Sequence, residues 1–254
     1  MKIYRYRHNS EVLYGVLRGK DLYPVEGSIF GEFEVGRLSV PIGEVTILPP
    51  VEPTKIVGVG RNYLEHSREL GNPVPEEPLL FLKPPTSVIG PNGNILYPEA
   101  SKRVDFEGEL AVVIGKAARN LGEADRPEDY ILGYTCINDV TARDLQSKDV
   151  QFTRSKSFDT FAPVGPCVAT GLEHSNLAVK TFLNGKLKQS SSTRHLIFPV
   201  PLLIRFISGI MTLCPGDIIA TGTPAGVGPM EPGDRVDVQI EGIGTLSNTV
   251  MRGG

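Results

Sequence analysis

Three carboxylates fall at every second position in Val104-Asp105-Phe106-Glu107-Gly108-Glu109, and an unbroken apolar run, Leu110 to Ile114, follows them. Alternation of period two that passes into continuous apolar character predicts one strand that begins at an open rim and ends inside a core. Successive strand side chains point to opposite faces, so Asp105, Glu107 and Glu109 share a face, roughly 6.5 Å apart at a rise of about 3.3 Å per residue. Oxygen ligands so arranged suit a hard cation such as Mg²⁺, Mn²⁺ or Ca²⁺. An edge strand with a solvated acidic face would carry the same letters. A second apolar run, Ile131 to Asn138, also stops at a carboxylate, and Asp139 is the natural third ligand if the two strands are neighbours. Asp144, adjacent to Arg143, reads as half of a structural ion pair.

Other side chains could supply proton transfer and anion binding. His66 and Glu69 lie three apart in a helical segment, hence on one face, where the carboxylate can hold the imidazole in one tautomer; a plain surface pair has the same spacing. Lys83 ends the apolar strand Leu79-Leu80-Phe81-Leu82, either as a solvated strand end or as an anion contact. Lys156 stands among small polar residues in Arg154-Ser155-Lys156-Ser157, which suits an anion-contacting loop or an ordinary turn. The loop Thr221-Gly222-Thr223-Pro224-Ala225-Gly226-Val227-Gly228 could hold a carboxylate with its amides and with Thr223. It lacks the Gly-Lys-Ser/Thr ending of a phosphate-binding loop. Gly58 and Gly60 do not make a dinucleotide fingerprint, because Tyr63 occupies the third glycine position and no βαβ repeat follows.

The elements that must position these groups are mostly strands. Among 254 residues there are 28 Gly and 21 Pro, which implies many turns and short strands. Residues 1–50 read as a small β unit with a hairpin connection at Arg18-Gly19-Lys20-Asp21, and Pro49, Pro50 and Pro53 form a stiff linker that places a domain boundary before residues 51–254. Arg61 to Asn72 reads as a short helix, capped by Asn62 at its start and Gly71 at its end. It is too short to hold its shape unaided, so it is expected to order only over a bound ligand. Asn184-Gly185 marks a hairpin, and apolar spacing from Pro201 to Thr212 predicts a helix.

Composition narrows the function classes. A net charge of −3 with scattered Lys and Arg gives no nucleic-acid surface and points to a small-molecule partner. Cys136, Cys167 and Cys214 have no metal-type spacing, and an odd count without a leader sequence suits reduced thiols in a cytoplasmic protein. No apolar run approaches the roughly 18 residues of a membrane span.

The strings Gly-Arg-Asn-Tyr-x-x-His-x-x-Glu at 60–69, Phe-Leu-Lys-Pro at 81–84, Glu-x-Glu-Leu-Ala-Val-Val-Ile-Gly at 107–115, Asp-Val-Thr-Ala-Arg-Asp-x-Gln at 139–146, Lys-Ser-Phe at 156–158 and Thr-Gly-Thr-Pro-x-Gly-Val-Gly at 221–228 occur in this order. Together they resemble the fumarylacetoacetate hydrolase family over roughly 55–250. The resemblance implies a β-rich α+β fold, a mixed β-roll or sandwich with few helices behind a small N-terminal β subdomain, assembled as a homodimer. It implies Mg²⁺ or Mn²⁺ on Glu107, Glu109 and Asp139, a lid-borne His66–Glu69 dyad, and Lys156 as the active-site lysine. Arg61, Lys83, Gln146 and Thr223 match positions that contact substrate, and Asp105 is left outside the ligand set.

A 2-oxo acid can chelate such an ion through its carboxylate and keto oxygens, and breaking a bond one carbon beyond then yields an enolate held at the metal. His66 would activate water and Lys156 would stabilise an oxyanion. The resemblance therefore implies hydrolytic or decarboxylative cleavage of a 2-oxo or diketo acid such as an acylpyruvate or oxaloacetate. The alternatives are a 2-hydroxyhepta-2,4-diene-1,7-dioate isomerase or decarboxylase of aromatic catabolism and, in another class, a non-catalytic metal-binding domain.

Overall fold

The computed structural model describes residues 1–69, 71 and 73–253. Three sheets carry almost all of the regular structure, and they contain 13, five and three strands. The largest runs in the order Phe33–Val35, Asp21–Gly27, Glu11–Arg18, Lys2–His8, Ala162–Ala169, Ile131–Asn138, Gly108–Ile114, Ile218–Ala220, Ile56–Gly60 and Leu79–Lys83, with three short strands attached beside this path. Its central strands are buried on both faces, which is why Leu110 to Ile114 had to be apolar throughout. Leu110, Val112 and Ile114 join one core cluster, and Ala111 and Val113 join another on the opposite face.

The first cluster is closed by the helix Val200–Ile210 and by the five-stranded sheet. Val200, Leu203, Ile204, Ile207 and Ser208 are the buried residues of that helix, the 0, 3, 4, 7, 8 spacing of an amphipathic face. Each fully buried Leu or Ile there contributes about 1.5–3 kcal/mol. The N-terminal strands do not form a sheet of their own. Lys2 and Ile3 pair antiparallel with Ala169 and Val168, so the first fifty residues extend the large sheet. Both expected hairpins are present, and Asn184 and Gly185 take φ of 50° and 75°, as a two-residue turn between twisted strands requires.

The acidic segment is not one strand. It breaks at Glu107 into Val104–Phe106, which belongs to the three-stranded sheet, and Gly108–Ile114, which belongs to the largest. At the break the Glu107 amide donates to Asn138 Oδ1 at 2.9 Å, and the Gly108 amide donates to Gln189 Oε1 at 3.0 Å, so side chains replace the ladder. A Cβ on residue 108 would stand 2.0 Å from Thr181 Oγ1, and only glycine allows the sheets to approach this closely.

The short helix spans Leu64–Glu69. Asn62 does not cap it. Its side chain is fully buried, donating to Phe198 O at 3.0 Å and Thr221 O at 2.7 Å and accepting from the Phe198 amide at 2.7 Å. The expected helical span also included Leu70 and Asn72, which lie outside the described residues.

Candidate metal centre and active site

The acidic strand and its neighbour meet as the sequence requires. Gly108–Ile114 pairs antiparallel with Ile131–Asn138, with Gly108 opposite Asn138 and Glu109 opposite Ile137. The Asp139 amide then donates to Glu107 O at 2.8 Å, which brings the strand end beside the break. Glu107, Glu109 and Asp139 are consequently buried together, each offering a carboxylate oxygen within 4.8 Å of the others.

Their charges are handled unequally. Burial works against ionised Glu107, but Lys156 and Arg143 outweigh it and hold its carboxyl well below the usual range. Burial, then Asp139, then Glu107 push the Glu109 carboxyl well above its usual value, and its one hydrogen bond, from the Gly222 amide at 2.7 Å, does not offset them. Repulsion among three converging carboxylates is what a divalent cation relieves, and the donors are all hard oxygens. This chain's residues therefore fit a hard divalent cation.

Cations surround the cluster. Lys156 Nζ donates to Glu107 Oε2 at 2.9 Å and to Asp139 Oδ2, and it lies 4.8 Å from the centre of the Phe81 ring. Burial disfavours this ammonium, yet Asp139 and Glu107 raise its pKa. Lys83 is fully buried and donates to Asp139 Oδ1 at 2.6 Å and Val140 O at 3.1 Å; here burial wins and lowers the pKa. Arg143 donates to Asp105 at 2.9 Å, to Glu107 Oε1, and to Gln146 Oε1 at 2.6 Å.

A cavity of about 260 Å³ opens over the cluster. Of the residues singled out from the sequence, Arg61, His66, Glu107, Glu109, Asp139, Gln146, Lys156 and Thr223 line it. Lys83 does not; it holds Asp139 from outside the lining. Glu69 also lies outside the lining, with Oε2 3.2 Å from His66 Nδ1 and Oε1 accepting the Gly226 amide at 3.0 Å. His66 is 5% exposed. With Nδ1 committed to Glu69, Nε2 is the ring nitrogen available for proton transfer.

Sequence reasoning missed Arg143 and misassigned Asp144. Asp144 is not the partner of Arg143; it accepts from Ser101 Oγ at 2.6 Å and from the Lys102 amide at 3.0 Å. The Asp-Val-Thr-Ala-Arg-Asp-x-Gln string contained the signal, since Arg143 and Gln146 are one helical turn apart. Asp105, held by Arg103 and Arg143, stands outside the carboxylate cluster. Among the described residues no helix is long and apolar enough to cross a membrane.

Sequence and structure comparisons agree on ancestry. The profile described as "Fumarylacetoacetate (FAA) hydrolase C-terminal" matches residues 55–251, and one described as "Rv2993c-like, N-terminal" matches residues 1–50. The oxaloacetate tautomerase YisK of Bacillus subtilis is 42% identical over 233 residues, covering 85% of this chain and 77% of that protein. A 5-carboxymethyl-2-hydroxymuconate delta-isomerase from Mycobacterium smegmatis superposes with a TM-score of 0.93 at 40% identity, covering both chains completely. A maleylpyruvate hydrolase from Sphingobium, solved with manganese and pyruvate, does so with a TM-score of 0.82 at 29% identity, again over both whole chains.

Proposed function

Because this chain belongs to the fumarylacetoacetate hydrolase family, we propose that it is a Mg²⁺- or Mn²⁺-dependent enzyme that enolises a short 2-oxo acid at C3. The reaction would be expressed as keto–enol tautomerisation or as cleavage of the C3–C4 bond of an oxaloacetate-type diacid. The observation that carries this reading is the convergence on one cavity of His66 and of the three buried carboxylates Glu107, Glu109 and Asp139. The name of the Bacillus relative supports oxaloacetate as the first substrate to try.

Glu107, Glu109 and Asp139 would hold the ion, which when bound supplies Lewis-acid polarisation of the 2-oxo group. Glu69 keeps the Nδ1–H tautomer of His66, so Nε2 can take a proton from C3 and pass it to the 2-oxo oxygen to complete the enol; after C3–C4 cleavage the same ring, protonated from solvent, would give a proton to C3. Lys156 and Arg143 place positive charge beside the position where oxygen becomes anionic. Arg61 and Gln146 face the same space and suit the distal carboxylate of a diacid, a group that departs as carbon dioxide when the C3–C4 bond breaks. The small cavity and the burial of His66 limit water at the reacting carbon. The likeness to a muconate isomerase favours a second reading, proton movement along a 2-hydroxy-dienoate by the same base. We also take the assembled form to be a homodimer, for which light scattering is the check.

Turnover of oxaloacetate, acetylpyruvate and a 2-hydroxy-dienoate, each with Mg²⁺ and with chelator, tests the proposal. Metal-dependent turnover of oxaloacetate supports it, and dienoate turnover alone supports the second reading. No metal-dependent turnover of any of the three overturns both.

A further inference from the structure

Gln189 lies outside the cavity, fully buried on Lys186–Ser192, the edge strand of the five-stranded sheet. Its side-chain amide is directed at the segments that carry the site. Oε1 accepts the Gly108 amide at 3.0 Å, and Nε2 donates to Thr223 Oγ1 at 2.7 Å and to Pro224 O at 2.8 Å. The amide can sit only one way round, since the Gly108 N–H needs an acceptor and the Pro224 carbonyl needs a donor. Thr223 Oγ1 in turn donates to Gly108 O at 3.0 Å, which closes a ring of hydrogen bonds through Gly108, Gln189 and Thr223.

The position of that ring matters. Gly108 is the single residue between Glu107 and Glu109, at the break where the two acidic strands part into different sheets. Thr223 follows Gly222, whose amide holds Glu109 Oε2. The same loop reaches Gly226, whose amide holds Glu69 and which is packed so tightly against the Gln189 strand that a Cβ there would stand 2.2 Å from Lys188 O.

We propose that Gln189 is a positioning residue of the metal centre, fixing through Gly108 the spacing of the Glu107 and Glu109 carboxylates and through Thr223 and Pro224 the glycine-rich loop beside them, which reaches the cavity at Thr223. This rests on the metal-centre reading given above. Loss of a partner that orients metal-ligating groups typically costs about 10–100-fold in metal affinity, because a chelate that must rearrange on binding loses its preorganisation.

Two variants separate the two ends of the clasp. Gln189→Met keeps the bulk and removes every hydrogen bond of the side chain. Mn²⁺ affinity, read by electron paramagnetic resonance on protein whose circular dichroism matches the parent, is expected to fall by about 10–100-fold. Gln189→Glu keeps an acceptor for Gly108 but loses the donor to the loop. Its Mn²⁺ affinity is expected to stay within about threefold of the parent while the KM for the 2-oxo acid rises by about 10-fold and kcat changes less. Parental Mn²⁺ affinity in folded Gln189→Met overturns the inference; if that variant does not fold, a parental KM in Gln189→Glu overturns it. A parent chain that binds no Mn²⁺ overturns the metal-centre reading and this inference with it, whereas a parent that binds Mn²⁺ beside unaffected variants overturns the inference alone.

Discussion

The Glu69 carboxylate stands 3.2 Å from Nδ1 of His66 on the same short helix, and its other oxygen accepts the Gly226 amide at 3.0 Å. One side chain therefore orients the base and ties its helix to the glycine-rich loop. His66→Ala removes the base and leaves all three proposed metal ligands. The kcat for the 2-oxo acid is expected to fall by about 10²–10⁴-fold, with Mn²⁺ and oxalate binding by calorimetry nearly unchanged. Equal loss of binding and turnover would make His66 a binding or folding residue.

The helix Leu64–Glu69 has six residues, too few to persist without tertiary support. Its start is anchored by the buried Asn62 clasp, and its end is held by a partly exposed carboxylate. Hydrogen exchange is expected to find the Ile197 and Phe198 amides, which donate to Asn62, protected in every state. Leu64 to Glu69 should gain protection of about 10-fold or more once Mn²⁺ and oxalate are present. Equal protection of the helix with and without ligand would rule out a closing lid.

Much of the site was legible because its logic is local. Leu110 to Ile114 had to be apolar where both sheet faces are covered, and His66 and Glu69 had to share a face three residues apart. What stayed hidden depends on distant partners. The alternation of acidic residues continues unchanged across Glu107, so no pattern marks the break that Asn138 and Gln189 create. Asn62 has the composition of a helix cap, but its side chain reaches Phe198 and Thr221 instead. Arg143 was paired with its sequence neighbour, whereas its carboxylates lie at positions 105 and 107.

Glu109 makes stability depend on pH in the absence of metal. Burial and the charges of Asp139 and Glu107 raise its pKa, so the folded chain holds that proton more tightly than the unfolded chain does. The linked stability is fully present below the unfolded value of 4.5 and is lost as pH rises through the folded one. Glu109→Gln cannot ionise. In chelator its Tm is expected to exceed that of the parent near neutral pH, with the gap closing toward about pH 4. A gap independent of pH would contradict this.

Lys83 separates a supporting role from a substrate contact. Its ammonium is fully buried on Asp139, so Lys83→Met is expected to destabilise the metal-free chain by about 3–5 kcal/mol in urea unfolding. Saturating Mn²⁺ should restore part of that loss. A higher KM with unchanged stability would instead return Lys83 to the substrate side.

Glu107, Glu109 and Asp139 are proposed to hold the ion that a 2-oxo acid chelates. Mn²⁺ titration followed by electron paramagnetic resonance, with and without oxalate and on parent and Glu109→Ala side by side, tests it most directly. The expected result is one Mn²⁺ per chain in the parent, a spectrum altered by oxalate, and both lost in a folded Glu109→Ala protein. Parental Mn²⁺ affinity in that variant, or no Mn²⁺ bound by the parent, would contradict it.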